Sequence, residues 1–119
     1  MQRKHLGEHY ILELFDCDNK LLNDVEGIKE IMIAAAVAAN ATIVTKYFHQ
    51  FSPYGISGTI VIEESHFNIH TWPEHGFAAV DLFTCGDSLQ PEKAKSLIIR
   101  ELKSQNHDYS TIKRGVFKK

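Results

Sequence analysis

The stretch GTIVIEESHFNIHTWPEHGFAAVDLFT, Gly58 to Thr84, decides the fold. Its β-branched and aromatic residues gather in Gly58–Ile62, Phe67–Thr71 and Phe77–Thr84, which predicts three successive strands. The joints between them are short: Glu63-Glu64-Ser65-His66 is polar, and Pro73 and Gly76 bracket a turn. Such short connections join antiparallel neighbours, because a parallel crossover needs a dozen or more residues. Upstream, Ser52-Pro53-Tyr54-Gly55 breaks the chain after another strand-like run, Thr42–Phe51. Before that run Asn23 and Glu26 have the spacing of a capping box, and Val25, Ile28, Met32, Ala35, Ala36 and Ala39 recur at helical spacing to about Asn40. A first strand, His9–Phe15, ends at the turn-formers Asp16, Asp18 and Asn19. Downstream, Gly86 and Asp87 close the fifth strand, and a helix over Pro91–Lys103 turns Ala94, Leu97, Ile98 and Leu102 inward. Thr111–Phe117 reads as a final strand.

These elements predict an α/β (α+β) two-layer sandwich: a mainly antiparallel sheet with helices on one face. Glu13-Leu14-Phe15-Asp16-Cys17 is echoed by Asp81-Leu82-Phe83-Thr84-Cys85, each closing a strand that leads into a helix. The echo suggests two similar strand and helix units. With 119 residues, 44% hydrophobic and 24% charged, the composition is that of a single globular domain over residues 1–119. A formal charge of −2 gives no basis for counterion-driven binding to nucleic acid or an anionic membrane. The apolar run Ile31–Ala39 falls short of the ~18 residues a membrane span needs. Met1–Phe15 mixes charges with its apolar residues and offers no secretory segment, so a cytoplasmic location is expected. Cys17 and Cys85 are expected as free thiols.

Polar and reactive residues crowd Phe51–Cys85: Ser57, Glu63, Glu64, Ser65, His66, His70, Glu74, His75, Asp81 and Cys85. Metal binding by His66, His70 and His75 is disfavoured, because residues four apart on a strand lie ~13 Å from each other, too far to share an ion with ~2 Å bonds. A Ser-His-acid hydrolase lacks the Gly-x-Ser-x-Gly elbow around Ser57 or Ser65. Glu64-Ser65 permits a third chemistry. A serine in a tight connection can attack the carbonyl of the preceding residue, exchanging amide for ester. Loss of the serine Cα proton then breaks the chain, and hydrolysis leaves a pyruvoyl group.

At this point the residues resemble a family. Pro53-Tyr54-Gly55-Ile56-Ser57-Gly58, Glu64-Ser65-His66, Ile69-His70-Thr71-Trp72-Pro73-Glu74 and Ala79-Val80-Asp81-Leu82-Phe83-Thr84-Cys85-Gly86, in that order, are similar to the prokaryotic-type, pyruvoyl-dependent S-adenosylmethionine decarboxylases of spermidine synthesis. The resemblance runs from about Leu6 to Leu102, and such an ordered series is more specific than any single motif. It implies self-cleavage after Glu64 into chains 1–64 and 65–119, with Ser65 becoming the pyruvoyl group. His70 would be the base of that processing, and Ser57 would hydrogen-bond its intermediates. Cys85 would return a proton to the substrate carbon once carbon dioxide has left. Phe51 would stack on adenine, Glu74 would take the ribose hydroxyls, and Trp72 would line the same pocket. The pyruvoyl carbonyl would form a Schiff base with the substrate amine and act as electron sink, with no diffusible cofactor and no metal.

Taken without the family, Phe51, Trp72 and Phe83 read as core or strand-face aromatics, and Cys17 and Cys85 as small buried hydrophobes. His66, His75 and Glu63 read as polar residues near a turn, and Asp81 as structural, in need of a partner. Two other functions stay open: a pyruvoyl-dependent arginine or ornithine decarboxylase of the same family, and an uncleaved paralogue acting as a regulatory subunit. The predicted hairpin sets His70 five residues from Ser65, ~16 Å along an extended strand, beyond reach of a proton transfer. The expectation is a two-fold homodimer, a larger layered assembly. Each of its sites would take Ser65 and Cys85 from one chain and Phe51, Ser57, His70 and Glu74 from the other, which agrees with what the resemblance implies.

Overall fold

Alternation along the strands separates two faces of one sheet, and the separation places everything that follows. A computed structural model describes residues 4–117. Six strands, β1 (Gly7–Phe15), β2 (Ile43–Gln50), β3 (Ile56–Ile62), β4 (Ser65–Trp72), β5 (Phe77–Thr84) and β6 (Asn106–Arg114), form a single sheet in the order β2-β3-β4-β5-β1-β6. Every pairing is antiparallel. Three helices accompany it: α1 (Asn19–Leu22), α2 (Val25–Ala38) and α3 (Pro91–Glu101), with a 3-10 turn at Pro73–His75.

Leu12, Leu14, Ile60, Phe67, Ile69, Val80 and Leu82 point to one face and are buried, and there they meet Ile28, Met32, Ala35, Ala36 and Ala39 from α2 and its end and Ala94, Ile98 and Leu102 from α3. Both inward helical stripes match the periodicity in the sequence. The buried polar Thr71 is satisfied: its hydroxyl donates to the Leu22 carbonyl at 2.7 Å and accepts the Ile56 N–H at 3.0 Å, which pins the end of α1 to the sheet. The expected two-layer, mainly antiparallel architecture is thus the observed one, with helices on one face only.

Local expectations differ from the structure in four places. The cap of α2 is Asp24, whose side chain accepts the Gly27 N–H, and not Asn23. Asn23 instead uses its side-chain oxygen on the Gly55 N–H at 3.1 Å and on Gln50 Nε2 at 3.3 Å, tying down the loop after β2. The one-turn helix α1 was not predicted. It is set by Asp18, which accepts from the N–H groups of Lys20 and Leu21. The last strand lies at Asn106–Arg114, not Thr111–Phe117. As an edge strand, exposed at all residues but Tyr109, it shows no alternation to read. The fourth is the echo: β1 and β5 do lead into helices and pair with each other from Glu8↔Thr84 to Leu14↔Ala78. Their ends diverge, since Cys17 is buried where Cys85 is exposed. Both cysteines are free. No helix among the described residues is long and apolar enough to cross a membrane.

Candidate active site

Two of the three groups of reactive residues lie at opposite ends of β4. At its start, Ile62 and Ser65 are paired across the two-residue connection Glu63-Glu64. Ser65 has φ of +142°, a backbone conformation that costs an L residue about 1–3 kcal/mol and persists only where its surroundings enforce it. Three hydrogen bonds do so. The Glu63 N–H donates to the Thr42 carbonyl at 2.9 Å, the Thr42 N–H donates to Glu64 Oε1 at 3.2 Å, and the Cys85 N–H donates to the Glu64 carbonyl at 2.8 Å. Cys85 follows β5, whose Thr84 is the register partner of Ser65. Its Sγ lies 3.1 Å from the same Glu64 carbonyl oxygen and 3.6 Å from Ser65 Oγ. The peptide between Glu64 and Ser65 is therefore strained, polarised at its carbonyl by a backbone donor, and flanked by a hydroxyl and an exposed thiol.

At the other end, Ser57 and His70 are register partners on β3 and β4. They lie on the sheet face away from the helices, since Ile56, Gly58, Ile69 and Thr71 beside them are buried against the opposite layer. The His70 ring sits 4.2 Å from Trp72 and 5.7 Å from Phe51, whose other neighbour is His49 at 4.7 Å. Glu74, exposed on the 3-10 turn, continues from Trp72. Within one chain the two groups do not meet: five positions of β4 separate Ser65 from His70, ~16 Å at the rise of a strand.

A third group on the open face was only partly legible. Asp81 has the partner its strand position demands: His9 Nε2 at 2.8 Å, with Asn68 Nδ2 at 3.3 Å and His66 Nε2 at 4.0 Å. Arg114 donates to Nδ1 of the same His9 at 3.0 Å, which leaves the Nε2–H of that ring to donate to Asp81. His9, His66 and Asp81 bring ligand atoms within 4.8 Å of one another, yet both nitrogens of His9 are engaged, so no lone pair of that ring faces an ion. His66 and His9 pack on Phe83. Asp81 on an apolar strand was the available signal. His9 and Arg114, distant in sequence, could be joined to it only through the β5-β1-β6 pairing.

With this geometry in view, the comparisons with known proteins converge. The family model described as S-adenosylmethionine decarboxylase matches residues 8–115. The chain belongs to the S-adenosylmethionine decarboxylase family. It is 50% identical over 114 residues to the S-adenosylmethionine decarboxylase proenzyme of Caldanaerobacter subterraneus, covering 96% of this chain and 92% of that one. It is 55% identical over 102 residues to the proenzyme of Thermosipho melanesiensis, covering 86% and 78%. The crystal structure of the adenosylmethionine decarboxylase of Aquifex aeolicus superposes with a TM-score of 0.89 at 38% identity, covering 98% of this chain and 96% of the other. The S-adenosylmethionine decarboxylase family is the one that the motifs between Pro53 and Gly86 resemble.

Proposed function

We propose that the chain cleaves itself between Glu64 and Ser65 and that the resulting pyruvoyl enzyme decarboxylates S-adenosylmethionine to its aminopropyl-donor form for spermidine synthesis, in the cytoplasm. The single observation that carries this reading is the grip on the Glu64 carbonyl: Cys85 N–H at 2.8 Å and Cys85 Sγ at 3.1 Å, beside a Ser65 held at φ +142°.

The chemistry follows from these groups. Ser65 Oγ adds to the Glu64 carbonyl carbon, and the negative charge that develops on the oxygen meets the Cys85 N–H. One well-placed donor of this kind lowers such a barrier by about 2.7–4 kcal/mol. Expulsion of the Ser65 nitrogen gives the ester and relieves the backbone conformation at that residue. A base then takes the Ser65 Cα proton, the Glu64 carboxylate leaves, and water displaces ammonia from the remaining unit to leave the ketone. In this reading His70 is the base, and Ser57 hydrogen-bonds the intermediates. Once formed, the pyruvoyl group supplies an electron sink for the electrons released with carbon dioxide. Cys85, exposed and beside position 65, delivers the proton to the substrate carbon.

The aromatic group at the far end of the sheet suits the substrate. Phe51 offers a half-open ring to adenine, Trp72 lines the same space, and Glu74 accepts from the ribose hydroxyls. A sulfonium charge over an aromatic ring gains about 0.5–2 kcal/mol. Because one chain keeps Ser65 and Cys85 apart from Phe51, Ser57, His70 and Glu74, the complete site is formed between two copies in a homodimer. The test is an intact mass under denaturing conditions together with carbon dioxide release. We expect chains 1–64 and 65–119, the second with a carbonyl in place of its amine, and release from S-adenosylmethionine but not from arginine or ornithine. A chain that stays whole yet turns over at full rate, or a cleaved chain inert on this substrate, would overturn the proposal.

A further inference from the structure

The Glu64 side chain makes a contact that the bond rearrangement does not itself require. Its Oε1 accepts the N–H of Thr42 at 3.2 Å, while the carbonyl of the same Thr42 accepts the Glu63 N–H at 2.9 Å. Thr42 stands at the corner between α2 and β2, where Asn40 takes φ of +65°. That corner also holds the loop that follows Cys85. The Gln90 N–H donates to the Ala39 carbonyl at 2.9 Å, and Asn40 Nδ2 donates to the Ser88 carbonyl at 3.3 Å. The scissile turn and the segment that polarises it are thus fastened to one short piece of chain, residues 39–42, which contributes no reacting group.

We infer that Glu64 is a positioning residue for self-cleavage: seated on the Thr42 N–H, its carboxylate keeps the scissile carbonyl on the Cys85 N–H and Ser65 in its left-handed conformation. The inference rests on the self-cleavage reading given above. A carboxylate accepting from a backbone N–H is among the stronger hydrogen bonds a protein makes. Of the bonds that hold the Glu63-Glu64 turn to the corner, it is the one a side chain supplies. Without it the turn is free to relax toward ordinary backbone angles, and the carbonyl leaves the donor that polarises it. The step that suffers is the acyl shift, before the base acts.

The experiment follows cleavage by intact mass in freshly purified wild type, Glu64→Ala and Glu64→Gln. Glu64→Gln retains a side-chain oxygen for Thr42. We expect Glu64→Ala to cleave about tenfold more slowly and Glu64→Gln to stay within about threefold of wild type, the range one hydrogen bond spans. Hydroxylamine, which captures the ester, should release the N-terminal chain correspondingly slowly from Glu64→Ala. Folding is controlled in an uncleavable background, where Ser65→Ala with and without Glu64→Ala should each melt in one cooperative transition, the double variant lower by less than about 10 °C, the range that loss of one hydrogen bond spans. Wild-type cleavage matched by Glu64→Ala would overturn the inference and leave self-cleavage intact. Equal slowing of Ala and Gln, or a larger fall in the melting temperature of the double variant, would also overturn it. A wild-type chain that never cleaves would instead overturn the reading beneath.

Discussion

Cys17 and Cys85 end strands of similar sequence, and their fates are set by what closes over them. Cys17 packs into the core, where burial pushes its thiol up from the ordinary value. Cys85 stands exposed beside the Glu64 carbonyl. Neither pentapeptide shows which thiol is buried, and it is the ordered motif series around Ser65, not Cys85 alone, that gives the second its proposed role. Gly58 shows what a residue can require without reacting. It lies buried between Phe48 on β2 and Ile69 on β4, and a Cβ there would overlap the Phe48 ring. Gly58→Ala must displace that ring at the sheet edge, at a cost of about 1–3 kcal/mol. Measured in the Ser65→Ala background, where the proposed cleavage does not confuse the baseline, its urea midpoint should fall with the slope unchanged.

At the scale of elements, α2, α3 and the strands β1, β3, β4 and β5 could be read because each alternates or repeats against a core. The edge strand β2, exposed at all residues but Ile43 and Phe48, could be read from its β-branched and aromatic composition and the break at Ser52-Pro53-Tyr54-Gly55. β6 could not, because its stability comes from its neighbours. Tyr109 donates its hydroxyl to Glu92 on α3 at 2.7 Å, lies under Lys95 Nζ at 3.8 Å, and stacks on Tyr10 at 6.0 Å. The hydrogen bond from Tyr109, aided by Lys95, holds the Glu92 carboxyl below its usual value. Burial, with Glu92 second, pushes the Tyr109 phenol up to about 12. The signs fix a pH window. A lowered carboxyl contributes stability above its unfolded value of 4.5 and loses it as pH falls through the lower folded value. A raised phenol contributes below its unfolded value of 10.0 and loses it as pH rises towards about 12. Tyr109→Phe should therefore lower the urea midpoint at pH 7, and the difference from its parent should shrink by pH 3. Glu92 is well exposed, so the whole effect stays under about 1 kcal/mol. A difference that is equal at both values would assign the loss to packing.

For the molecule as a whole, helices cover one face of the sheet and leave the other to His66, Asn68, His70, Trp72, Phe77, Asp81 and Phe83. Tyr47, Phe51 and Val61 stand exposed at its β2-β3 end. The separation of Ser65 from His70 was legible from strand spacing alone. The polar chain from Arg114 through His9 to Asp81 was not, because it needs the strand order. If each site draws Ser65 from one chain and His70 from the other, a two-fold axis makes both sites equivalent, and the requirement can be split between variants. Ser65→Ala chains carry the base without the residue to be converted, and His70→Ala chains carry the reverse. Refolded together at equal concentration, random assortment puts about half of the His70→Ala chains opposite a Ser65→Ala chain. Each such pair holds one complete site, so about half of the His70→Ala chains should cleave, while neither variant cleaves alone. Mass spectrometry counts the products, and differently tagged chains establish that mixed dimers formed. Mixed dimers that remain whole would place His70 and Ser65 in separate roles and exclude the shared site.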